Sequence, residues 1–150
     1  MLDLPCILHP TDFSTSSHYA FRLACALARD HGSRLIVLHA VLTLGPELIS
    51  EGEAVSQLQP EAYQAKLWAE LRQVEAPDPS IQLKHQLVEG DAATEIVRVA
   101  TQEHANLIVM GTHGRSGLER FMLGSVAEQV IRYADCPVLT VKAPPSASAK

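Results

Sequence analysis

LIVMGTHGRSGLERFMLGSVAEQVI, residues 107–131, holds the pattern that decides the fold. It opens with an unbroken apolar run, Leu107 to Met110, as expected of a parallel strand covered on both faces. The run meets Gly111, a loop with Gly114 and Gly117 follows, and a helical pattern begins at Gly124-Ser125. Strand, glycine-rich loop and helix N-terminus together form an arrangement in which backbone N–H groups can surround a phosphate.

The same alternation of strand and helix runs through the rest of the chain. Leu4 to Leu8 reads as a first strand, and Pro10 ends it ahead of a loop, Thr11-Asp12-Phe13-Ser14. Thr15 to His31 has helical spacing, with Ala20, Leu23, Ala24, Leu27 and Ala28 on one stripe. Ser14 is placed to cap that helix and Gly32 to end it. Arg34 to Leu42 is a second, almost wholly apolar strand. Residues 43–60 have no clear period and are broken by Gly45, Pro46, Gly52 and Pro60. Glu61 to Glu75 reads as a helix with Ala62, Ala65, Leu67, Trp68 and Leu71 inward, stopped by Pro77-Asp78-Pro79. Ile81 to Val88 alternates in polarity, the pattern of a half-buried strand at or near a sheet edge. A helix from Gly90-Asp91 to about Ala105 carries Ile96, Val97, Val99 and Ala100 on its apolar side. After strand 4 and the glycine loop come a helix from about Val126 to Tyr133 and a strand, Pro137 to Val141.

Five strands alternating with four helices predict an α/β fold with a parallel sheet and helices on both faces. In such sheets ligands bind at the carboxyl ends of the strands, where the strand order reverses. The Asp12 loop and the glycine loop should share that edge. One domain over residues 1–142 is expected, with a disordered tail over 143–150 (APPSASAK).

Composition narrows the function classes. The 150 residues carry a formal charge of −5 and are 47% hydrophobic. An acidic chain lacks the broad basic footprint of a nucleic-acid binder. No stretch approaches a membrane span, and MLDLPCILHPTDF has no basic n-region or cleavage-like site, so a cytoplasmic location and no membrane partner are expected. Cys6, Cys25 and Cys136 are odd in number and scattered, which argues against disulfides and structural zinc and for small buried hydrophobes.

The glycine loop is neither GxxxxGK[ST] nor GxGxxG. Its spacing is Gly111, two residues, Gly114, nine residues, Gly124-Ser125. This G-x2-G-x9-G-S pattern resembles the nucleotide-binding signature of the universal stress protein family. CILHPTDFS, Leu38-His39-Ala40, Gly114-Arg115-Ser116-Gly117 and Cys136-Pro137-Val138-Leu139 resemble other family landmarks, in the expected order from Leu4 to about Val141.

The resemblance implies a Rossmann-like three-layer sandwich with strand order 3-2-1-4-5, binding ATP. By that carry-over Gly111, Gly114, Arg115, Gly124 and Ser125 surround the phosphates, joined by their neighbours Met110, Thr112, His113 and Val126. Asp12, with Pro10 and Thr11, lies near the ribose or a phosphate-bound Mg²⁺, and the backbone of Ala40 meets the adenine edge. Positive φ at the glycines, the dipole of the helix at Ser125 and a bidentate Arg115 would all suit an anion. Other readings of single residues remain beside these. Ser125 and Glu128 form an S-x-x-E capping box. Asp12 could simply cap a turn. His113 is either a phosphate contact or a solvent-facing loop residue, and Phe121 and Met122 are loop anchors or a docking surface. His9 and His39 flank strand ends without metal-ligand spacing.

The expected function is an ATP-binding regulatory protein of the stress response. A slow ATPase or phosphotransferase and a dimeric interaction protein without nucleotide are the alternatives. A phosphoryl-transfer enzyme would need more than this segment offers: residues 90–141 contain no lysine, and Glu119 is the loop's only carboxylate. Strand 5, Val138-Leu139-Thr140-Val141, is an uncharged edge, and the resemblance implies that it pairs in a homodimer.

Overall fold

The computed structural model describes residues 2–41, 60–113 and 123–144. Five parallel strands form one sheet in the order β3-β2-β1-β4-β5. They are β1 (Cys6–Pro10), β2 (Arg34–Val41), β3 (Gln82–Glu89), β4 (Leu107–Gly111) and β5 (Val138–Val141). The described helices are α1 (Thr15–His31), α2 (Pro60–Arg72), α3 (Ala92–Gln102) and α4 (Ser125–Tyr133). The predicted fold class and strand order are therefore those observed.

Strand alternation divides the core into two layers. Ile7, Leu35, Val37, Leu107 and Val109 face α1, meeting Ala20, Phe21, Ala24 and Ala28. Cys6, Leu8, Ile36, Leu38, Ile108 and Met110 face α3 and α4, meeting Ile96, Val99, Ala127 and Val130. The three central strands are buried on both faces, which is why β1, β2 and β4 read as apolar runs. The order β3-β2-β1 grows one way and β4-β5 the other, so the reversal lies between β1 and β4.

The first strand sits two residues later than predicted, at Cys6–Pro10 instead of Leu4–Leu8. Pro10 lacks an N–H but closes the strand without breaking it, because the N–H of Thr11 donates to Leu38 O at 2.8 Å. Helix α1 has the predicted bounds, with Ser14 Oγ accepting from Ser17 N and Gly32 at φ 64 as its left-handed end. Leu23 was expected in its buried stripe but is 37% exposed. The small residues Ala20, Ala24 and Ala28 with Phe21 and Cys25 carry the contact instead. In α2 only Leu67 and Leu71 are buried, while Ala62 and Ala65 are exposed. That helix covers only the β3 end of the sheet, so its second half alone reaches the core. Cys6 and Cys25 are buried free thiols and Cys136 is half-buried; burial pushes the Cys25 thiol up to about 11. Residues 43–59 of the segment without a period, and 145–150 of the tail, lie outside the described residues.

Gly111 ends β4 for a steric reason. A Cβ there would lie 2.4 Å from Ser16 Oγ and 2.9 Å from the Ser16 backbone carbon. Its φ is not in the left-handed region, so close packing against α1, and not a turn, requires glycine. Gly111→Ala should therefore destabilise the fold by about 1–3 kcal/mol through overpacking, read as a lower urea midpoint with an unchanged slope. A β4 that tolerates alanine without loss would contradict this contact.

His9 is fully buried. Its Nδ1–H donates to Val109 O at 2.8 Å, and its ring lies 5.5 Å from that of Phe21. Burial lowers its pKa from 6.5 to about 4. The unfolded chain thus takes up a proton below pH 6.5 that the folded chain refuses until near pH 4. Stability is fully present above pH 6.5 and is lost as pH falls toward 4, by about 2–3 kcal/mol between pH 7.5 and 4.5. His9→Asn, which keeps a side-chain N–H, should flatten that part of the profile in denaturant titrations at the two pH values. A profile as steep as wild type would refute the assignment.

Candidate functional site

A cavity of about 600 Å³ opens at the carboxyl end of the sheet, at the strand-order reversal. Its walls come from the ends of β1, β2 and β4 and from the starts of α3 and α4. Eleven of the thirteen residues singled out from sequence line it: Pro10, Thr11, Asp12, Ala40, Met110, Gly111, Thr112, His113, Gly124, Ser125 and Val126. Gly114 and Arg115 lie outside the described residues, as do Gly117, Phe121 and Met122.

One wall is the turn from β1 to α1. Thr11 is buried, and its Oγ1 accepts from Phe13 N at 3.1 Å. Phe13 has φ 65, a costly conformation for a bulky side chain. Its ring packs on His39 at 4.6 Å, and His39 Nδ1–H donates to Thr11 O at 2.8 Å. Asp12 Oδ1 accepts from Ser14 N at 3.0 Å and from Ser17 Oγ at 2.7 Å.

The opposite wall is the glycine turn. Thr112 N donates to Val141 O at 3.1 Å, and Gly124 N donates to Thr112 O at 2.7 Å. That second bond ties the α4 start directly to the β4 end. Gly124 is the N-cap of α4, and among the described residues no side chain caps the helix. Its N-terminal N–H groups and positive dipole end lie at a cavity wall, a disposition suited to an anion.

Three expectations need correction. Ser125 is not the N-cap of a capping box: Gly124 takes that position, Ser125 is the first helical residue, and Glu128 pairs with Arg132 at 3.3 Å. Gly124 has φ −64, so positive φ does not explain the glycine there, nor at Gly111. His113 is half-buried, not solvent-facing. Its Nδ1 lies 2.9 Å from Thr112 Oγ1, and its Nε2 is buried without a partner among the described residues.

Sequence reasoning missed Ser17, Leu38, His39, Ala92, Ile96, Leu123, Ala127 and Glu128 as lining residues. Leu38, Ala92, Ile96, Met110 and Ala127 make one side apolar, which suits a flat ring. That side was hidden because these residues read as ordinary core. Charged side chains on the described wall are Asp12 and Glu128. Among the described residues no three His, Cys, Asp or Glu side chains cluster to hold a metal ion.

The comparisons with known proteins agree with this architecture. The universal stress protein family model matches residues 6–142. A universal stress protein of Methanocaldococcus jannaschii is 39% identical over 142 residues, covering 92% of this chain and 82% of its own. Universal stress protein UspA from Lactobacillus plantarum superposes with a TM-score of 0.75 at 25% identity, covering 95% of this chain and 100% of its own. A universal stress protein whose crystal structure is in complex with cAMP superposes with a TM-score of 0.72 at 26% identity, over 95% of this chain and 100% of its own. With sequence, sheet order and cavity in accord, this chain belongs to the universal stress protein family.

Proposed function

We propose that the cavity binds an adenine nucleotide, ATP above all, and that its occupancy makes the chain a nucleotide-dependent regulator of the stress response in the cytoplasm. The observation that carries this reading is the start of α4, whose N-cap Gly124 brings no side chain to the first N–H groups, on the wall of a cavity with an apolar side. The solved relative bound to cAMP supports an adenine nucleotide as the ligand class.

The assignment of parts follows the sheet. The apolar side near Leu38, Ala40 and Ile96 takes the adenine, with the Ala40 backbone at its edge. Asp12 follows β1, between the β2 side and the glycine turn, and takes the ribose hydroxyls. Gly111, Ser125 and Val126 offer backbone N–H groups to the phosphates, with Gly124, Thr112, His113, Gly114 and Arg115 beside them. Mg²⁺ ordinarily binds through one or two carboxylates plus phosphates and not in an all-protein cage. With Asp12 at the ribose, the ion would be held by the phosphates themselves and would neutralise part of their charge.

Ser125→Glu separates the ligand role from the fold. A carboxylate in the first turn of α4 complements the helix dipole, by about 0.3–1 kcal/mol, yet competes with a phosphate for the same N–H groups. The melting temperature should hold or rise while ATP affinity, measured by calorimetry with and without Mg²⁺, falls about tenfold or more. Unchanged affinity would remove α4 from the site.

The chain also pairs with a second copy through β5. This strand is a sheet edge, uncharged, with Leu139 38% exposed, and apolar edges tend to be covered. Leu139→Lys should convert dimers to monomers in analytical ultracentrifugation; an unchanged dimer would place the interface elsewhere.

A further inference from the structure

Ser17 lines the cavity, yet its hydroxyl has nothing left to offer a ligand. The residue is 5% exposed. Its Oγ donates to Asp12 Oδ1 at 2.7 Å. It accepts from Asp12 N at 3.2 Å and from Ser14 Oγ at 3.3 Å. A serine hydroxyl has one donor and two acceptor lone pairs, so all three are engaged. The same oxygen therefore grips both ends of one residue, the backbone N–H and the carboxylate of Asp12.

Helix capping does not account for this arrangement. Ser14 is the N-cap of α1, its Oγ accepting from Ser17 N at 3.2 Å. The Ser17 backbone thus serves the cap, and its hydroxyl is left for Asp12. Ser14 N adds a second donor to the same Oδ1. Two donors on one oxygen fix the rotation of the carboxylate. A carboxylate can accept about four hydrogen bonds, more than these two.

We propose that Ser17 is the positioning residue of this site: it holds Asp12 in the orientation that presents the carboxylate to the sugar hydroxyls of the ligand, without touching the ligand itself. This rests on the nucleotide reading above, with Asp12 at the ribose.

The test compares wild type, Ser17→Ala, Ser17→Thr, Asp12→Ala and the Ser17→Ala/Asp12→Ala pair, using ATP and 2′,3′-dideoxy-ATP as calorimetric probes. NMR hydrogen exchange at the Asp12 amide is measured without ligand. Ser17→Ala should speed exchange at Asp12 and weaken ATP about tenfold, the worth of a hydrogen bond to a charged group. It should leave dideoxy-ATP unchanged and add nothing in the Asp12→Ala background. Ser17→Thr, which keeps the hydroxyl, should retain the preference for ATP. Equal weakening of both nucleotides, additive losses, or Asp12 exchange as slow as wild type would each overturn the positioning role alone. Wild-type protein that binds neither nucleotide would instead overturn the nucleotide reading, and with it the ligand-directed part of this role.

Discussion

The carbonyl of Val141 accepts two hydrogen bonds, from Thr112 N and from Ser16 Oγ, and the site is arranged around that meeting point. Through it the end of β5, the glycine turn and the first turn of α1 share one frame. Only a residue without a side chain fits where β4 comes up against Ser16, so Gly111 is what lets the three approach. From Thr112 the frame extends to the α4 start through Gly124 N. From Ser16 it extends one residue to Ser17 and so to Asp12. The two walls of the cavity are thus fixed to each other, although more than a hundred residues separate them in sequence.

The three described helices that follow strands and reach this edge are finished differently. Helix α1 is capped by Ser14, with Asp12 held just ahead of it. Helix α3 is capped by Asp91, whose side chain accepts from Thr94 N. Helix α4 is capped by Gly124, which has no side chain to offer. Each capped helix has a hydroxyl or carboxylate for its first N–H groups. The N-cap of the third has none to give. An acidic first-turn residue, Glu128, does lie on the cavity wall, but its pairing with Arg132 draws its charge along the helix toward α4's other end.

Much of this was legible in the chain. The apolar runs of β2 and β4 and the Thr15–His31 helix with both its ends located the fold, because each depends on local pattern, and the family resemblance carried by the glycine spacing and its flanking landmarks pointed to the eleven lining residues. What was not legible depends on contacts between distant segments. Leu23 has the right helical phase but faces out, since the close approach of α1 to β4 favours alanines. Ala62 and Ala65 have the right phase too, but the sheet ends beneath them. Gly111 reads as a phosphate-loop glycine, while its demonstrable necessity is the neighbouring Ser16. Ser125 reads as a cap because S-x-x-E is a local signal; the bond from Gly124 N to Thr112 O starts the helix one residue earlier. Ser17 has no sequence signal at all, being one of several small polar residues in STSS.

The wall built on β1 is preformed in a way that bears on recognition. Phe13 holds a left-handed backbone conformation that costs of order 1–3 kcal/mol. Such a cost persists only when the surroundings over-determine it. Here they do so through the Thr11 hydroxyl, the tilted His39 ring packed on Phe13, the His39 bond to Thr11 O and the Ser14–Ser17 grip on Asp12. The strain reverses the chain directly after β1, placing the Asp12 carboxylate at the centre of the sheet edge and not on the following helix. A carboxylate held this way loses little freedom when a ligand arrives, so the ordering cost of binding falls on other parts of the site. On the proposed nucleotide reading, selectivity for the group that meets Asp12 would then be set by fixed geometry.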